Sequence, residues 1–405
     1  MLRYRPKAWK PCAVPRFEPF AAIRYATDDL ASVLAPPYDV LSDTDVDALE
    51  ARSLHNVVHI DVPRGGEDRY DRAAKTMRGW LDEELLVVDA QASFTIYRMR
   101  FTDSAGARRD IAGVLGALEV VDLEAGGVLP HERTTAEAST DRLDLTRATA
   151  ANLSPVWGLS LSTGLTELLA EPGEALGAVT DAGIEHLVER VTDPQRIAAI
   201  RDKLAADDVL IADGHHRYGV SRSYRDEVRE ATGRTDTPAE LTLAFVNELI
   251  EEQLSVEAIH RLYTNIGETD LTEALARSFE LIPTDRPSPA TLAAMATKEF
   301  LVLFTREGTW RLQAKPGRFD GVRALDGGWL ETALADVTLT VTYQHGLDKT
   351  LSEVDRGRAS AAVLIRPVSV AEIERTAREG LLMPPKSTFF TPKLKTGFVI
   401  RSLTE

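Results

Sequence analysis

What most limits the fold of this chain is the stretch DVLIADGHHRYGVSRSYRDEV, residues 208–228. Four apolar residues, Val209 to Ala212, make a run long enough for a buried strand and too short for an ordinary helix. Asp213 and Gly214 break the pattern, and apolar positions resume at helical spacing near Tyr218. A strand that gives way to an amphipathic helix across one glycine needs that helix to pack back on a sheet, which points to mixed layers of the two. The turn also lies at a helix N-terminus, where backbone N–H groups and the positive end of the helix dipole favour an anion. Arg217 adds a guanidinium suited to bidentate contact with phosphate oxygens, and its removal is expected to weaken binding with little loss of fold. His215 and His216 supply further donors, or one of them an acid or base near neutral pH. Asp213, Gly214, His215, His216 and Arg217 are therefore candidate phosphate-binding residues, with His216 also a catalytic candidate and Asp213 the natural magnesium ligand. The competing reading is an Asp-capped helix with two solvent-exposed histidines.

The rest of the chain reads as an α+β protein. FAAIRY and NVVHIDV read as strands, and RYDRAAKTMRGWLDEELLVV as a helix. SFTIYRMRFTD and RRDIAGVLGALEVV form a hairpin of two long strands about Asp103, Ser104 and Gly106. A glycine-rich stretch, LEAGGVLPHERTT, leads into a polar helix ending near Ala151. SPVWGLSLS reads as a strand, and PQRIAAIRDKLAAD as a helix with proline in its first turn. From ELTLAFVNELI onward, strands such as EFLVLFT, TWRLQAK, VTLTVTYQ and AAVLIRP alternate with amphipathic helices. The expected regions are an N-terminal α+β region at 1–125, a phosphate-loop region at 126–235 and a C-terminal α+β region at 236–405.

Composition excludes several classes of protein. Sixty-three acidic against 47 basic residues give a net charge of -16, which repels a nucleic-acid backbone at long range. One cysteine, Cys12, permits neither an internal disulfide nor a thiolate metal cluster. No stretch approaches the apolar length of a membrane span or signal peptide, so the chain is expected to be cytoplasmic, with no membrane partner.

Three further motifs carry chemistry. In PHERT, residues 130–134, Glu132 could take a proton from a substrate hydroxyl, or His131 could do so instead; a helix-capping acid beside a solvent-facing histidine is the alternative. PPKSTFFTPK sets Lys386, Ser387, Thr388 and Lys393 in a stiff loop that could meet a phosphate or carboxylate, Lys386 and Ser387 being the binding candidates. APPYDV places Tyr38 and Asp39 after a rigid Pro-Pro turn as substrate-pocket candidates, although capping of the next helix by Ser42 explains most of the motif. His55 and His59 share a face if NVVHIDV is a strand, and are read as structural.

In their order along the chain, APPYDV, LPHERT, SPVWGL, IADGHHRYG and MPPKSTFFTPK resemble the family known as domain of unknown function 1015. The strand-DGHHRY-helix unit is similar to the phosphate loop of the ParB and sulfiredoxin superfamily, in which free-serine kinases carry a closely similar signature. The resemblance implies a ParB/sulfiredoxin-like nucleotide-binding core. It also implies a kinase-like phosphotransferase that uses ATP or ADP with Mg2+ on a small hydroxylated metabolite such as serine, and it admits a homodimer. The alternative it implies is a ParB-like nucleotide-binding switch without turnover. Sulfiredoxin-type redox chemistry fits less well, since His215 or His216 stands where the loop would need its cysteine.

Overall fold

The structure is a computed structural model that describes residues 14–103, 106–122, 125–130, 139–384 and 386–404. The chain divides into two compact units: one holds the residues up to 254 with 377–381 and 392–405, the other 255–376 with 382–391. Among the described residues no helix is long and apolar enough to cross a membrane.

The first unit is organised by a nine-stranded mixed sheet. Its strands are β1 (Phe17–Glu18), β2 (Phe94–Thr102), β3 (Arg108–Glu119), β4 (Val128–Pro130), β5 (Val156–Ser160), β6 (Glu174–Asp181), β7 (Ile184–Val191), β8 (Val209–Asp213) and β9 (Leu241–Glu248). They lie in the order β4-β8-β5-β9-β3-β2-β7-β6, with β1 also paired to β3. The β4–β8 and β5–β9 pairs are parallel, while β5–β8 and β3–β9 are antiparallel. The hairpin read from the sequence is β2–β3, running from the Thr95–Leu115 pair to Thr102–Arg108. Along IAGVLGAL the sheet is covered closely: a Cβ on Gly113 would come within 2.3 Å of the Phe245 ring, and one on Gly116 within 2.4 Å of Phe17. The two glycines are notches for aromatic rings, which is why an otherwise apolar strand carries them.

Five helices of this unit matter here: α1 (Val58–Asp61), α2 (Arg69–Asp82), α3 (Ser139–Thr149), α4 (Pro194–Leu204) and α5 (His215–Thr232). Tyr218 of α5 and Ile200 and Leu204 of α4 join Phe94, Val209 and Val246 of the sheet in one buried core. Tyr218 also locks α5 in place, its hydroxyl accepting from Val121 N at 2.8 Å and donating to the Glu119 carbonyl at 3.0 Å. NVVHIDV, expected as a strand, is instead the short helix α1. Asn56 imposes the turn, because its side-chain oxygen accepts from Val58 N at 3.0 Å while its amide nitrogen donates to the Ser32 and Leu34 carbonyls. His55 and His59 thus share no strand face; His55 packs against Trp80, and His59 Nε2 lies 3.1 Å from the Ser53 carbonyl oxygen.

The second unit is built on a six-stranded sheet, antiparallel throughout, whose strands lie in the order 279–283, 309–314, 301–305, 361–364, 259–264, 340–345. Leu271, Leu275, Phe279, Leu303, Leu330 and Val363 form much of its core.

Candidate functional site

The DGHHR segment occupies the end of β8 and the start of α5. Gly214 makes the turn at φ 83°, in the left-handed region where a side chain is strained, and α5 begins at once with His215 rather than near Tyr218. The first intrahelical backbone bond runs from Tyr218 N to Gly214 O at 2.9 Å. A Cβ at Gly214 would also meet the Arg217 guanidinium at 3.0 Å, so the absence of a side chain is required twice over.

Arg217 therefore folds back over the turn, and it is buried. Its Nη2 donates to Asp213 Oδ2 at 2.7 Å and lies 3.5 Å from Asp39 Oδ2, while Nη1 donates to the Pro155 carbonyl of the SPVWGL motif. Asp213 is clasped from its other side by Lys393, whose Nζ lies 3.1 Å from Oδ1. Burial by itself would push the Asp213 carboxyl up, but Lys393 and Arg217 outweigh it and hold the group well below the usual carboxylate range. For Arg217 burial works against the charge, and Asp39 and Asp213 overcome it, so the guanidinium is held firmly protonated.

A second charged group adjoins the first. Arg142, on α3, stacks on the Tyr38 ring at 4.1 Å, a cation-π contact. Its Nη1 donates to the Asp61 backbone carbonyl at 2.5 Å and lies 3.4 Å from Asp61 Oδ1, and its Nε donates to Asp141 Oδ2 at 3.1 Å. Tyr38, Asp61, Arg142 and Arg217 line one cavity of about 40 Å³ together with Ser221 and Thr242. Burial raises both the Tyr38 hydroxyl and the Asp61 carboxyl above their ordinary values, against the pull of Arg217 on the first and of Arg142 and Arg217 on the second.

The structure thus brings Tyr38, Asp39, Asp213, Gly214 and Arg217 together. Arg217 faces inward, its two terminal nitrogens engaged by protein groups, and does not present the outward bidentate fork read from the sequence. Asp213 does not fit a magnesium ligand as it stands, because each of its oxygens already faces a cation; its place is to orient Lys393 and Arg217. Among the described residues no group of three or more His, Cys, Asp or Glu side chains is arranged to hold a metal ion. His131 and Glu132 lie outside the described residues, but β4 carries the chain to Pro130, opposite Ile211 and two positions short of Asp213. His215 and His216 open α5. Lys386 and Ser387 belong to the second unit, where Lys386 is exposed with its carbonyl accepting from Arg261 at 3.0 Å, and the buried Ser387 hydroxyl donates to Pro384 O at 2.7 Å. Sequence reasoning singled out neither Asp61 nor Arg142, which sit in segments whose patterns mark them as an apolar run and a polar helix.

Fold and site together define a mixed α+β protein with a buried charge network wrapped around a strand-glycine-helix turn. The chain belongs to the family described as "Protein of unknown function (DUF1015)", whose model matches residues 17–328. No curated protein is similar enough to match it. Among solved structures, a conserved hypothetical protein from Pyrococcus furiosus is similar over 68% of this chain and 91% of that one, at 12% identity and a TM-score of 0.38. A free serine kinase in complex with AMP is similar over 73% and 92% respectively, at 11% identity and a TM-score of 0.40. SbnI with a C-terminal truncation, from Staphylococcus aureus, is similar over 71% and 87%, at 12% identity and a TM-score of 0.39. Likeness this distant carries no argument about activity.

Proposed function

We propose that this chain is a cytoplasmic nucleotide-dependent phosphotransferase with a ParB/sulfiredoxin-like core, acting on a small hydroxylated metabolite. The observation that carries the reading is the meeting, in a chain of net charge -16, of Arg217 and the distant Lys393 on Asp213 at the start of an 18-residue helix entered through a left-handed glycine, with Arg142 on the adjoining cavity. Ion-pair networks also occur for purely structural reasons. What favours binding is the position of this one: the dipole of α5 and the Lys393 ammonium favour an anion at the same point, and Asp213 fixes the lysine there. The phosphates of ATP or ADP would rest at the α5 terminus against Lys393. Arg217 would act from behind, holding the Gly214 turn in shape. The acceptor hydroxyl would lose its proton to Glu132 or His131, on the segment that follows β4, or to His216. Catalysis would then consist mainly of positioning and charge stabilisation.

The test is calorimetric titration of the full chain with ATP, ADP and inorganic pyrophosphate, each with and without Mg2+, followed by 31P NMR of mixtures with small hydroxylated metabolites. Saturable nucleotide binding with transfer of phosphate to one of them is expected. Absence of binding by every nucleotide would overturn the reading, and binding that changes oligomeric state without product would replace it with a nucleotide switch.

A further inference from the structure

A second cavity of the first unit, of about 330 Å³, shares no lining residue with the one beside the charge network. That volume falls in the range of small-molecule sites, from about 300 Å³ upward. Its walls come from the short helix Leu30–Val33 and the segment after it, the helix Asp43–Arg52, the end of β6, and Lys395. These walls are held in place from outside the cavity. Leu30 seats its helix on β6, where a Cβ on Gly177 would come within 2.4 Å of it, and the Asn56 amide holds the Ser32 and Leu34 carbonyls.

Most of the wall is apolar. Leu34 and Leu49 are buried, while Val40 is 39% exposed, one of the few large apolar side chains left so open. Four charged residues share the wall: Asp45, Arg52, Asp181 and Lys395. Three of them have partners. Asp45 accepts from Ser42 N at 2.9 Å in the capping box of its helix, and Lys395 Nζ donates to Asp181. The exposed Arg52 forms no ion pair with a described carboxylate, and Arg52 acts on Asp181 only from beyond that distance. Its Nη1 lies 3.4 Å from the carbonyl oxygen of Ala31, itself a wall residue, which sets the guanidinium at the cavity edge.

That arrangement selects among ligands. A neutral apolar molecule would cover the guanidinium without supplying a counterion, and a cation would meet Arg52 and Lys395. A dianion would carry its second charge past Asp45 and Asp181. A single carboxylate matches the planar fork of an arginine, and an apolar body behind it would bury Val40. We propose that this cavity binds a small monocarboxylate with a branched or aromatic hydrocarbon body, its carboxylate on Arg52 and its body against Leu34, Val40 and Leu49. The site does not depend on the phosphotransfer reading, with which it shares no residue.

The experiment is calorimetry of the full chain with 3-phenylpropanoate, 3-phenylpropanol, 3-phenylpropylamine, propanoate and phenyl phosphate. 3-Phenylpropanoate is expected to bind at millimolar concentration or below. The alcohol should bind roughly tenfold weaker for want of the charged contact, the amine and phenyl phosphate weaker than the carboxylate, and propanoate roughly a hundredfold weaker for want of the ring. Arg52→Met, at an exposed position, should bring the carboxylate down to the affinity of the alcohol and leave the alcohol unchanged. Ala48→Trp, at an exposed wall position of the same helix, should fill the cavity and abolish binding of both; melting curves of the two variants check that they are folded. No binding of 3-phenylpropanoate at millimolar concentration would overturn the proposal. So would equal or tighter binding of the alcohol, the amine or phenyl phosphate, or 3-phenylpropanoate affinity unchanged in either variant. ADP binding enters none of these outcomes, so failure here leaves the phosphotransfer reading standing, and the reverse holds as well.

Discussion

Replacing Arg217 by alanine separates the inward arginine of the structure from an outward phosphate clamp. Three losses add. The buried Pro155 carbonyl loses its donor, which costs about 1–2 kcal/mol for an unsatisfied buried acceptor. Asp213 loses one of its two cations; its side chain is 24% exposed and keeps Lys393, so this loss is held to about 1 kcal/mol, and the more exposed Asp39 adds little. The buried arginine stem contributes about 1 kcal/mol of packing. The sum is about 3 kcal/mol. In a unit of this size that corresponds to a fall in melting temperature of roughly 6–12 °C. The assay is urea unfolding read by hydrogen exchange of the β8–α5 segment, so that the two units are not averaged, with Arg217→Lys as a control that keeps the charge and loses the fork. The lysine variant should recover about half of the loss. If Arg217→Ala stays within about 0.5 kcal/mol of wild type, as surface substitutions do, while ADP binding is abolished, then the arginine works outward and the geometry argued here is wrong.

Three further outcomes follow from the same contacts. Lys393→Met should weaken ADP binding by roughly tenfold or more, the effect of one charged phosphate contact, while Asp213→Asn in the same chain should restore part of the lost stability; calorimetry and urea melts check the two halves. Gly214→Ala should destabilise by about 2 kcal/mol, since alanine is strained in the left-handed region and its Cβ would press on a guanidinium pinned by Asp213 and Pro155. His186 is buried against Tyr97, whose hydroxyl accepts from Lys395 N and lies 2.8 Å from Nδ1, and burial together with Lys395 lowers its pKa from 6.5 to about 4. The folded state then binds fewer protons than the unfolded one between those values. Stability should fall as pH drops from 6.5 towards 4, by roughly 3 kcal/mol at most, and His186→Gln should flatten that part of the profile.

How far the fold was legible depended on whether each segment's pattern came from its own burial. The β2–β3 hairpin, β5, β8 and α4 were legible because one face or both are buried along their length, and Pro194 with the Asp193 cap marks the start of α4. The β6–β7 hairpin was not, because β6 is an edge strand with most of its residues exposed or half-exposed, so EALGAVTD shows no alternation. NVVHIDV misleads for a different reason: an apolar run of this length fits a strand or one buried helical turn equally well, and the asparagine side chain that decides between them acts through the Ser32 and Leu34 carbonyls more than twenty residues away.

The site divides along the same line. Gly214 was legible because only backbone conformation was at issue, and one glycine between a strand and a helix leaves few choices. The direction of Arg217 was not, because it is set by Pro155, Asp39 and Asp213 together, three groups that stand far apart in sequence and meet only in the fold. Lys393 was visible only as one of two lysines in MPPKSTFFTPK, and nothing in that motif says which would reach Asp213. The division between the units does: Lys386 falls in the second and Lys393 in the first, seven residues apart along the chain, so the loop that looked like one binding element is split between two bodies. Chemistry read from a motif holds only as far as its residues stay in one compact unit. The loop at Asp213 satisfies that condition through its own strand and helix, and the candidate site was legible there first.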